Sequence, residues 1–201
     1  MRILAVADEE SRSLYDYYTP GKLDGYDLIL ACGDLKKSYL EFLVTMARCP
    51  LFYVHGNHDE SFDTDPPEGC VCIDGKLVVY QGVRILGLGG SYRYRQGKFQ
   101  YTESQMRKRI LRLMTALWFH RGFDILVTHA PARGVNDLDN LTHRGFACFR
   151  LLLEKYRPAY FLHGHIHLSY GLHIPRRSQY SATTVINACG STELDFPPGR
   201  P

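Results

Sequence analysis

The chain has 201 residues, of which 45% are hydrophobic, and its formal net charge is +3 at pH 7. A chain of this length is typical of one domain and can bury a substantial core. The small net charge excludes the class of proteins whose overall electrostatics mark them as nucleic-acid binders. We predict a single domain over residues 1–201, with an irregular tail over 194–201.

Two features predict a cytoplasmic protein with no membrane contact. The apolar run at the N-terminus is too short for the core of a signal peptide, and no stretch of about 18 consecutive apolar residues occurs. The cysteines are scattered along the chain, which favours reduced thiols over a disulfide framework. They are Cys32, Cys49, Cys70, Cys72, Cys148 and Cys189.

The first part of the chain alternates short apolar runs with amphipathic ones. Its predicted elements, in chain order, are a buried strand over 2–7, a helix over 11–18, a second buried strand over 26–34, an amphipathic helix over 36–48 and a third strand over 50–59. Strands that alternate with helices in this way predict parallel β-α-β units.

The middle of the chain follows a different pattern. Three short apolar segments separated by turn residues predict antiparallel hairpins, at 70–74, 76–81 and 83–90. A long helix follows, because Thr102 and Gln105 are spaced as a capping box and apolar residues then recur at helical spacing through Leu117. The remaining predicted elements are strands over 123–131, 159–167 and 183–190 and a helix over 144–156.

Polar side chains follow five of the strands that are predicted to be parallel, at the point where each strand ends. In open α/β sheets, ligands bind at the edge formed by the carboxyl ends of the strands. Carboxylate, carboxamide and imidazole groups at one such edge suit a cluster of divalent cations. The strand ends are Asp8, Gly33-Asp34, Gly56-Asn57-His58-Asp59, Thr128-His129 and Gly164-His165-Ile166-His167.

Each of these segments alone is also typical of an ordinary turn, because Asp and Asn form local hydrogen bonds there. Together, and in this order and spacing, they resemble the calcineurin-like metallophosphoesterases, from the first strand to about residue 190. The resemblance implies an α/β fold, a four-layer α/β/β/α sandwich with a two-metal centre at the strand ends. It also implies hydrolysis of a phosphoester by a metal-bridging hydroxide, and we expect phosphodiesters rather than monoesters.

The resemblance also implies a role for each site residue. Asp34 would bridge the two cations, Asp8 and His167 would bind the first, and His58 would face the scissile phosphate. The second cation would be bound by Asn57, His129 and His165. We expect Mn²⁺, with Fe, Zn, Ni or Mg as alternatives, and we leave a nucleotide or nucleic acid open as the substrate. His163 is either an outer partner of the metals or a hydrogen-bonded strand histidine.

One position departs from the family pattern, which has Asp-x-His at the first strand end. Here the sequence is Asp8-Glu9-Glu10, so Glu10 takes the place of the expected histidine. Glu10 is predicted to bind the first cation and to shift the metal preference towards Mn²⁺ or Mg²⁺. Two alternatives are a weakly bound first metal, and an inactive site on a fold kept as a protein-binding scaffold.

Two further segments bear on the site. Residues 89–101 interleave basic and aromatic side chains, which suits either a lid over a phosphate or base, or a solvated loop that covers the sheet. Asp59 is adjacent to His58, and we expect a solvated turn aspartate there rather than a partner of that histidine.

Overall fold

Two β-sheets pack face to face at the centre of the structure. The structure is a computed structural model that describes residues 1–171 and 174–197. In chain order the strands among these residues are β1 (Arg2–Ala7), β2 (Leu28–Ala31), β3 (Leu51–Tyr53), β4 (Val71–Cys72), β5 (Lys76–Tyr80), β6 (Val83–Leu88), β7 (Ser91–Tyr92), β8 (Gln100–Tyr101), β9 (Ile125–Thr128), β10 (Tyr160–His163), β11 (Arg177–Tyr180), β12 (Thr183–Asn187) and β13 (Gly190–Asp195). The α-helices among them are α1 (Lys37–Ala47), α2 (Glu103–Arg112), α3 (Met114–Phe119) and α4 (Ala147–Tyr156). Within this part of the chain, no helix is both long enough and apolar enough to cross a bilayer.

The first sheet has the strand order β13-β1-β2-β3-β4, and the second has the order β11-β12-β10-β9-β6-β5. Strands β1 to β4 run parallel to one another, as do β12, β10, β9 and β6. Antiparallel strands complete one edge of the first sheet, through β13, and both edges of the second, through β11 and β5. Each sheet therefore presents the carboxyl ends of several parallel strands on one side.

Successive side chains along each strand point to opposite faces of the sheet, and this builds a four-layer structure. In β1, Ile3 and Ala5 belong to the apolar cluster between the sheets, whereas Leu4 and Val6 belong to the cluster that includes α1. A third cluster joins the outer face of the second sheet to α2, α3 and α4. The order of layers is α/β/β/α, as expected, because each sheet buries both faces and successive side chains point to opposite faces.

The capping box and two helices are confirmed. The Thr102 hydroxyl accepts from the Gln105 backbone N–H at 3.3 Å, and the Gln105 side chain accepts from the Thr102 N–H at 2.9 Å. The helices predicted over 36–48 and 144–156 correspond to α1 and α4. The helix that starts at the capping box is interrupted, since α2 and α3 are separate helices on either side of Leu113.

The prediction of a helix over 11–18 is wrong, because this segment forms a series of turns. Leu14 and Tyr15 both donate to the Ser11 carbonyl, at 2.9 and 3.0 Å, but a continuous helical ladder does not follow. Tyr15 and Tyr18 instead pack their rings against Phe42 of α1, with centroids 5.0 and 5.2 Å apart. Aromatic packing onto a neighbouring helix thus overrides the local helical pattern.

Two other predictions need correction. Only β5 and β6 form an antiparallel hairpin in the middle segment, because β4 pairs with β3 in parallel. The irregular tail over 194–201 starts too early, since Leu194 and Asp195 belong to β13 and pair with β1. Leu194 and Phe196 are buried in the core between the sheets, which is the reason this segment is ordered. Residues 198–201 lie outside the described residues.

A buried carboxylate links both sheets to a helix at the edge where the parallel strands end. Asp74 accepts from the Gly89 backbone N–H at 2.6 Å and from the guanidinium of Arg109 on α2. Its other oxygen lies 3.1 Å from Nδ1 of His55, which follows β3 and stacks on Phe99 with ring centroids 4.2 Å apart. Burial raises the pKa of Asp74, but His55 and Arg109 outweigh it and hold that pKa below its usual value.

We predict that Asp74→Asn lowers the free energy of unfolding by about 3 kcal/mol, because it leaves the Arg109 guanidinium partly buried without its counter-ion. The pKa of Asp74 is depressed in the folded state. The difference in unfolding free energy between the natural protein and the variant should therefore have its full size above about pH 4, the pKa of an unfolded Asp, and should shrink as the pH falls below that value. Chemical denaturation at several pH values measures both effects. Asp139→Asn is the matched control, since that side chain is 97% exposed and should change stability by less than about 0.5 kcal/mol.

Candidate metal centre

Loops from both sheets meet at the carboxyl ends of the parallel strands. Asp8 directly follows β1, and its backbone N–H donates to the carbonyl of Gly33, which follows β2, at 3.1 Å. The backbone N–H of His165, two residues after β10, donates to both carboxylate oxygens of Asp8 at 2.9 and 3.0 Å. Asp8 therefore connects the two sheets at the site.

Three residues of this edge adopt the left-handed region that non-glycine residues rarely occupy. The φ angles are 60° at Asp8, 56° at Asp34 and 68° at His165. Such conformations are disfavoured and tend to cluster at functional sites. Close backbone approach adds a further constraint, because a Cβ atom at Gly56 would lie 2.0 Å from Oδ1 of Asp34. A glycine is therefore required where the loop after β3 passes the Asp34 carboxylate.

His129 is the centre of a cluster of four polar side chains, and its own side chain is fully buried. Its Nε2 lies 3.1 Å from Oδ1 of Asn57, 3.1 Å from Nδ1 of His165 and 3.2 Å from Oδ2 of Asp34. The ligand atoms of Asp34, His129 and His165 all lie within 4.8 Å of one another. The strands thus bring together the predicted bridging residue and all three predicted ligands of the second cation.

The hydrogen bonds at the other ring nitrogens assign the tautomers of both histidines. Nδ1 of His129 lies 2.9 Å from the Cys32 carbonyl, and Nε2 of His165 lies 2.8 Å from the Thr142 carbonyl. Because carbonyl oxygens only accept, these two nitrogens carry protons. In the neutral rings, the nitrogens that face each other therefore present lone pairs, as do the adjacent Asp34 and Asn57 oxygens. Four facing acceptors of this kind fit a divalent cation.

The pKa values show how strongly these groups interact. Burial lowers the pKa of His129, but the charge and hydrogen bond of Asp34 outweigh it and raise that pKa to about 9. Burial raises the pKa of Asp34, yet His129 and the His58 backbone N–H bring it well below its usual value. Burial is the main cause that lowers the pKa of His165 to about 3, with the nearby His129 contributing. A single positive charge is thus favoured at the centre of this cluster.

The side chains predicted for the first cation are not brought together. Glu10 accepts from the Lys36 backbone N–H at 3.4 Å and pairs with its Nζ at 3.3 Å. Nδ1 of His167 lies 2.9 Å from the carboxylate of Glu9. Within residues 1–171 and 174–197, Asp8, Glu10 and His167 do not form a cluster of mutually close ligand atoms. Their assignment as ligands of the first cation stays a prediction.

The segment 56–59 positions Asp34 from two sides. The backbone N–H of His58 donates to Oδ1 of Asp34 at 2.7 Å, while the His58 side chain is exposed. Asp59 is only 4% exposed, and one of its oxygens accepts from the backbone N–H groups of Asp34 at 2.9 Å and Gly56 at 2.7 Å. The expectation of a solvated turn aspartate was wrong. Aspartate commonly forms this local bond, in which its side chain accepts from the backbone N–H three residues earlier, here that of Gly56.

Two further residues complete the surroundings. His163 is fully buried, and its Nδ1 lies 2.9 Å from the Gly164 carbonyl and its Nε2 lies 3.4 Å from the Asn136 side chain, as a hydrogen-bonded strand histidine would. Tyr94, from the basic aromatic segment 89–101, accepts at its hydroxyl from the Asn57 side chain at 3.4 Å. This contact orients the Asn57 carboxamide with its oxygen towards His129, a role that the sequence pattern did not predict.

Comparison with known proteins agrees with this geometry. The calcineurin-like phosphoesterase family matches residues 2–169 of the chain. No protein with a curated description matches the sequence. Among solved structures, TT1561 of Thermus thermophilus is similar with a TM-score of 0.59 and 17% identity, over 94% of this chain and 89% of that one. At this identity the likeness shows a shared fold.

Two more solved structures are similar at lower scores. Vps29 of Chaetomium thermophilum has a TM-score of 0.45 and 12% identity, over 98% of this chain and 83% of that one. AQ665 of Aquifex aeolicus, described as a protein of unknown function, has a TM-score of 0.38 and 16% identity, over 78% of this chain and 86% of that one. The family match spans most of the chain and includes the strand ends that carry the histidine cluster. The chain belongs to the calcineurin-like phosphoesterase family.

Proposed function

We propose that the protein is a phosphodiesterase that uses divalent cations bound at its strand ends, with Mn²⁺ as the favoured metal. The observation that carries this proposal is the cluster of four facing acceptors around Nε2 of His129. Such a buried set of acceptors is unfavourable unless a proton or a cation lies among them. A proton on His129 meets this need in the metal-free protein, and a divalent cation would replace it. Two oxygen and two imidazole ligands suit a first-row divalent cation, and the carboxylates of Asp8 and Glu10 nearby favour Mn²⁺ within that group.

Asp34, Asn57, His129 and His165 would hold one cation. When bound, the cations supply a Lewis acid that polarises water and neutralises charge on the phosphoryl group. The protein contributes orientation: Asp59 fixes the backbone at Asp34, and the His58 N–H fixes one oxygen of its carboxylate. These contacts leave the other Asp34 oxygen directed at His129, 3.2 Å from its Nε2.

A cleft of about 530 Å³ adjoins the cluster and is the proposed substrate site. His58, Lys36 and Lys37 line it and can neutralise or protonate the phosphoryl group and the leaving oxygen. Asp8 and Glu10 line it too. A phosphomonoester carries nearly two negative charges at pH 7 and a diester carries one, so these carboxylates favour the diester.

The proposal includes a second cation, as the family resemblance implies, with Asp34 as the shared ligand and Asp8 beside it. In the structure Glu10 pairs with Lys36 and His167 pairs with Glu9, so binding of this cation would compete with both contacts. This arrangement also favours a rival function, since a phosphoesterase fold with an incomplete first metal site could serve as a protein-binding scaffold.

We predict that His58→Ala slows hydrolysis of bis-p-nitrophenyl phosphate by roughly 10²–10⁴-fold, the range for loss of a general acid. Bound Mn²⁺ should stay unchanged, because the backbone N–H of residue 58 still supports Asp34. Asn57→Ala should lose both metal and activity. Steady-state rates and metal content by plasma mass spectrometry separate the two variants.

His120→Ala is the matched control for these measurements, because its ring packs against Phe119, away from the cluster. It should retain both activity and metal. Loss of metal in His58→Ala would contradict the role given to that side chain. The complete absence of Mn²⁺-dependent hydrolysis of both bis- and mono-p-nitrophenyl phosphate by the natural chain would favour the scaffold.

We also predict that Mn²⁺ binding strengthens as the pH rises. The metal-free protein carries a proton on His129 below its pKa of about 9, and the cation must displace that proton. The dissociation constant should therefore fall about tenfold for each unit of pH between about 6.5 and 8.5. Isothermal titration calorimetry at three pH values checks this slope. A dissociation constant that is independent of pH would contradict the placement of the cation at His129, and His120→Ala should reproduce the natural slope.

A further inference from the structure

A second group of potential metal ligands lies at the same edge of the sheets. One ligand atom each from Glu9, His167 and Cys189 lies within 4.8 Å of the other two. Nδ1 of His167 lies 2.9 Å from Oε1 of Glu9. None of the three belongs to the group formed by Asp34, His129 and His165.

Three separate segments supply these residues. Glu9 follows β1, His167 follows β10, and Cys189 lies in the connection between β12 and β13. Cys189 is held close to the first sheet by a bridge to Ala7, and its backbone N–H donates to the Asn187 side chain at 3.0 Å. Convergence of the three ligands therefore depends on the tertiary fold and is not the product of one local turn.

The chemistry of this group differs from that of the cluster around His129. A thiol, an imidazole and a carboxylate form the ligand set that Zn²⁺ prefers, whereas Mn²⁺ and Mg²⁺ prefer oxygen ligands. Bond lengths of about 2.0–2.3 Å place the ligand atoms of a tetrahedral zinc site about 3.3–3.8 Å apart. The atoms here lie within 4.8 Å of one another, so side-chain shifts of about 1 Å would bring them to that spacing.

The group formed by Glu9, His167 and Cys189 is open to solvent on one side. The side chains of Glu9 and His167 are 54% and 32% exposed, whereas Cys189 is buried. A cation can thus enter from the exposed side and meet the thiol at the inner side. Three protein ligands with an open outer side leave a fourth coordination position for water or another oxygen, the pattern of zinc sites that are not purely structural.

We propose that Glu9, His167 and Cys189 form a binding site for a thiophilic divalent cation, Zn²⁺ in the first instance, with its fourth position open to solvent. His167 would then be a ligand of this site and not of the cation that the family resemblance places at Asp8 and Glu10. The proposed function would rest on the cation held by Asp34, Asn57, His129 and His165. Asp8 remains hydrogen-bonded to the His165 backbone and Glu10 remains paired with Lys36. The proposal does not require that the protein hydrolyse phosphoesters.

Titration of the full chain with Co²⁺, followed by absorbance, tests the site, because a thiolate bound to Co²⁺ gives a charge-transfer band in the near ultraviolet. The band should appear with saturation at one thiolate-bound ion per chain, and Zn²⁺ should remove it. Cys189→Ser should abolish the band. Cys49→Ser, at a half-buried cysteine elsewhere in the fold, is the matched control and should retain it.

Glu9→Gln provides a second variant that keeps the buried thiol in place, since the Glu9 side chain is half-exposed. It should weaken Co²⁺ binding by roughly tenfold or more, because a neutral amide replaces a charged ligand. A band that persists in Cys189→Ser, or a natural protein that shows no band at millimolar Co²⁺, would overturn the proposal and leave His167 and Glu9 as an ion pair only.

The two proposals fail independently. Mn²⁺-dependent hydrolysis without a cobalt–thiolate band would retain the proposed function and remove the zinc site. A band without any hydrolysis would retain the zinc site and remove the proposed function.

Discussion

Four acceptor atoms that face one another, Nε2 of His129 and the three atoms around it, are the constraint on which the rest of the site depends. The Cys32 and Thr142 carbonyls take the outer N–H groups of the two histidines, so neither ring can turn its proton inwards without losing a buried hydrogen bond. The facing lone pairs therefore repel one another unless a proton or a metal ion lies between them. Because a bound cation stabilises the folded state alone, metal binding and folding stability are linked at this point.

Backbone strain at the same edge has a comparable origin. Asp8, Asp34 and His165 each occupy the left-handed region, at a cost of roughly 1 kcal/mol or more apiece. Partly buried hydrogen bonds hold the backbone of two of them: the His165 N–H donates to the Asp8 carboxylate, and the Asp34 N–H donates to Asp59. These contacts fix the backbone at the edge where the candidate metal ligands lie.

The sequence predicts the parts of this structure that depend on local pattern. Buried parallel strands read as short apolar runs, and the polar residues at their ends are predicted at one sheet edge. The four-layer order and the ligand set around His129 are implied by the family resemblance and not by the local pattern. The helix over 11–18 fails because packing against Phe42 decides that segment. Asp74 lies 19 residues from His55 and 35 from Arg109, and no local signal joins them. Cys189 ends an apolar run and joins the edge only through the bridge to Ala7.

The two sides of the edge differ in how their side chains are paired. The Glu10 carboxylate pairs with the ammonium group of Lys36, whereas a neutral histidine, as in the family pattern, would carry no charge to attract it. On the same side, the imidazole of His167 pairs with Glu9, 2.9 Å from its carboxylate. His165 is held without Glu10, because its ring Nε2 bonds to the Thr142 carbonyl and its backbone N–H donates to the Asp8 carboxylate. One side of the edge therefore holds paired side chains, whereas on the other side the ligand atoms of Asp34, His129 and His165 lie within 4.8 Å of one another.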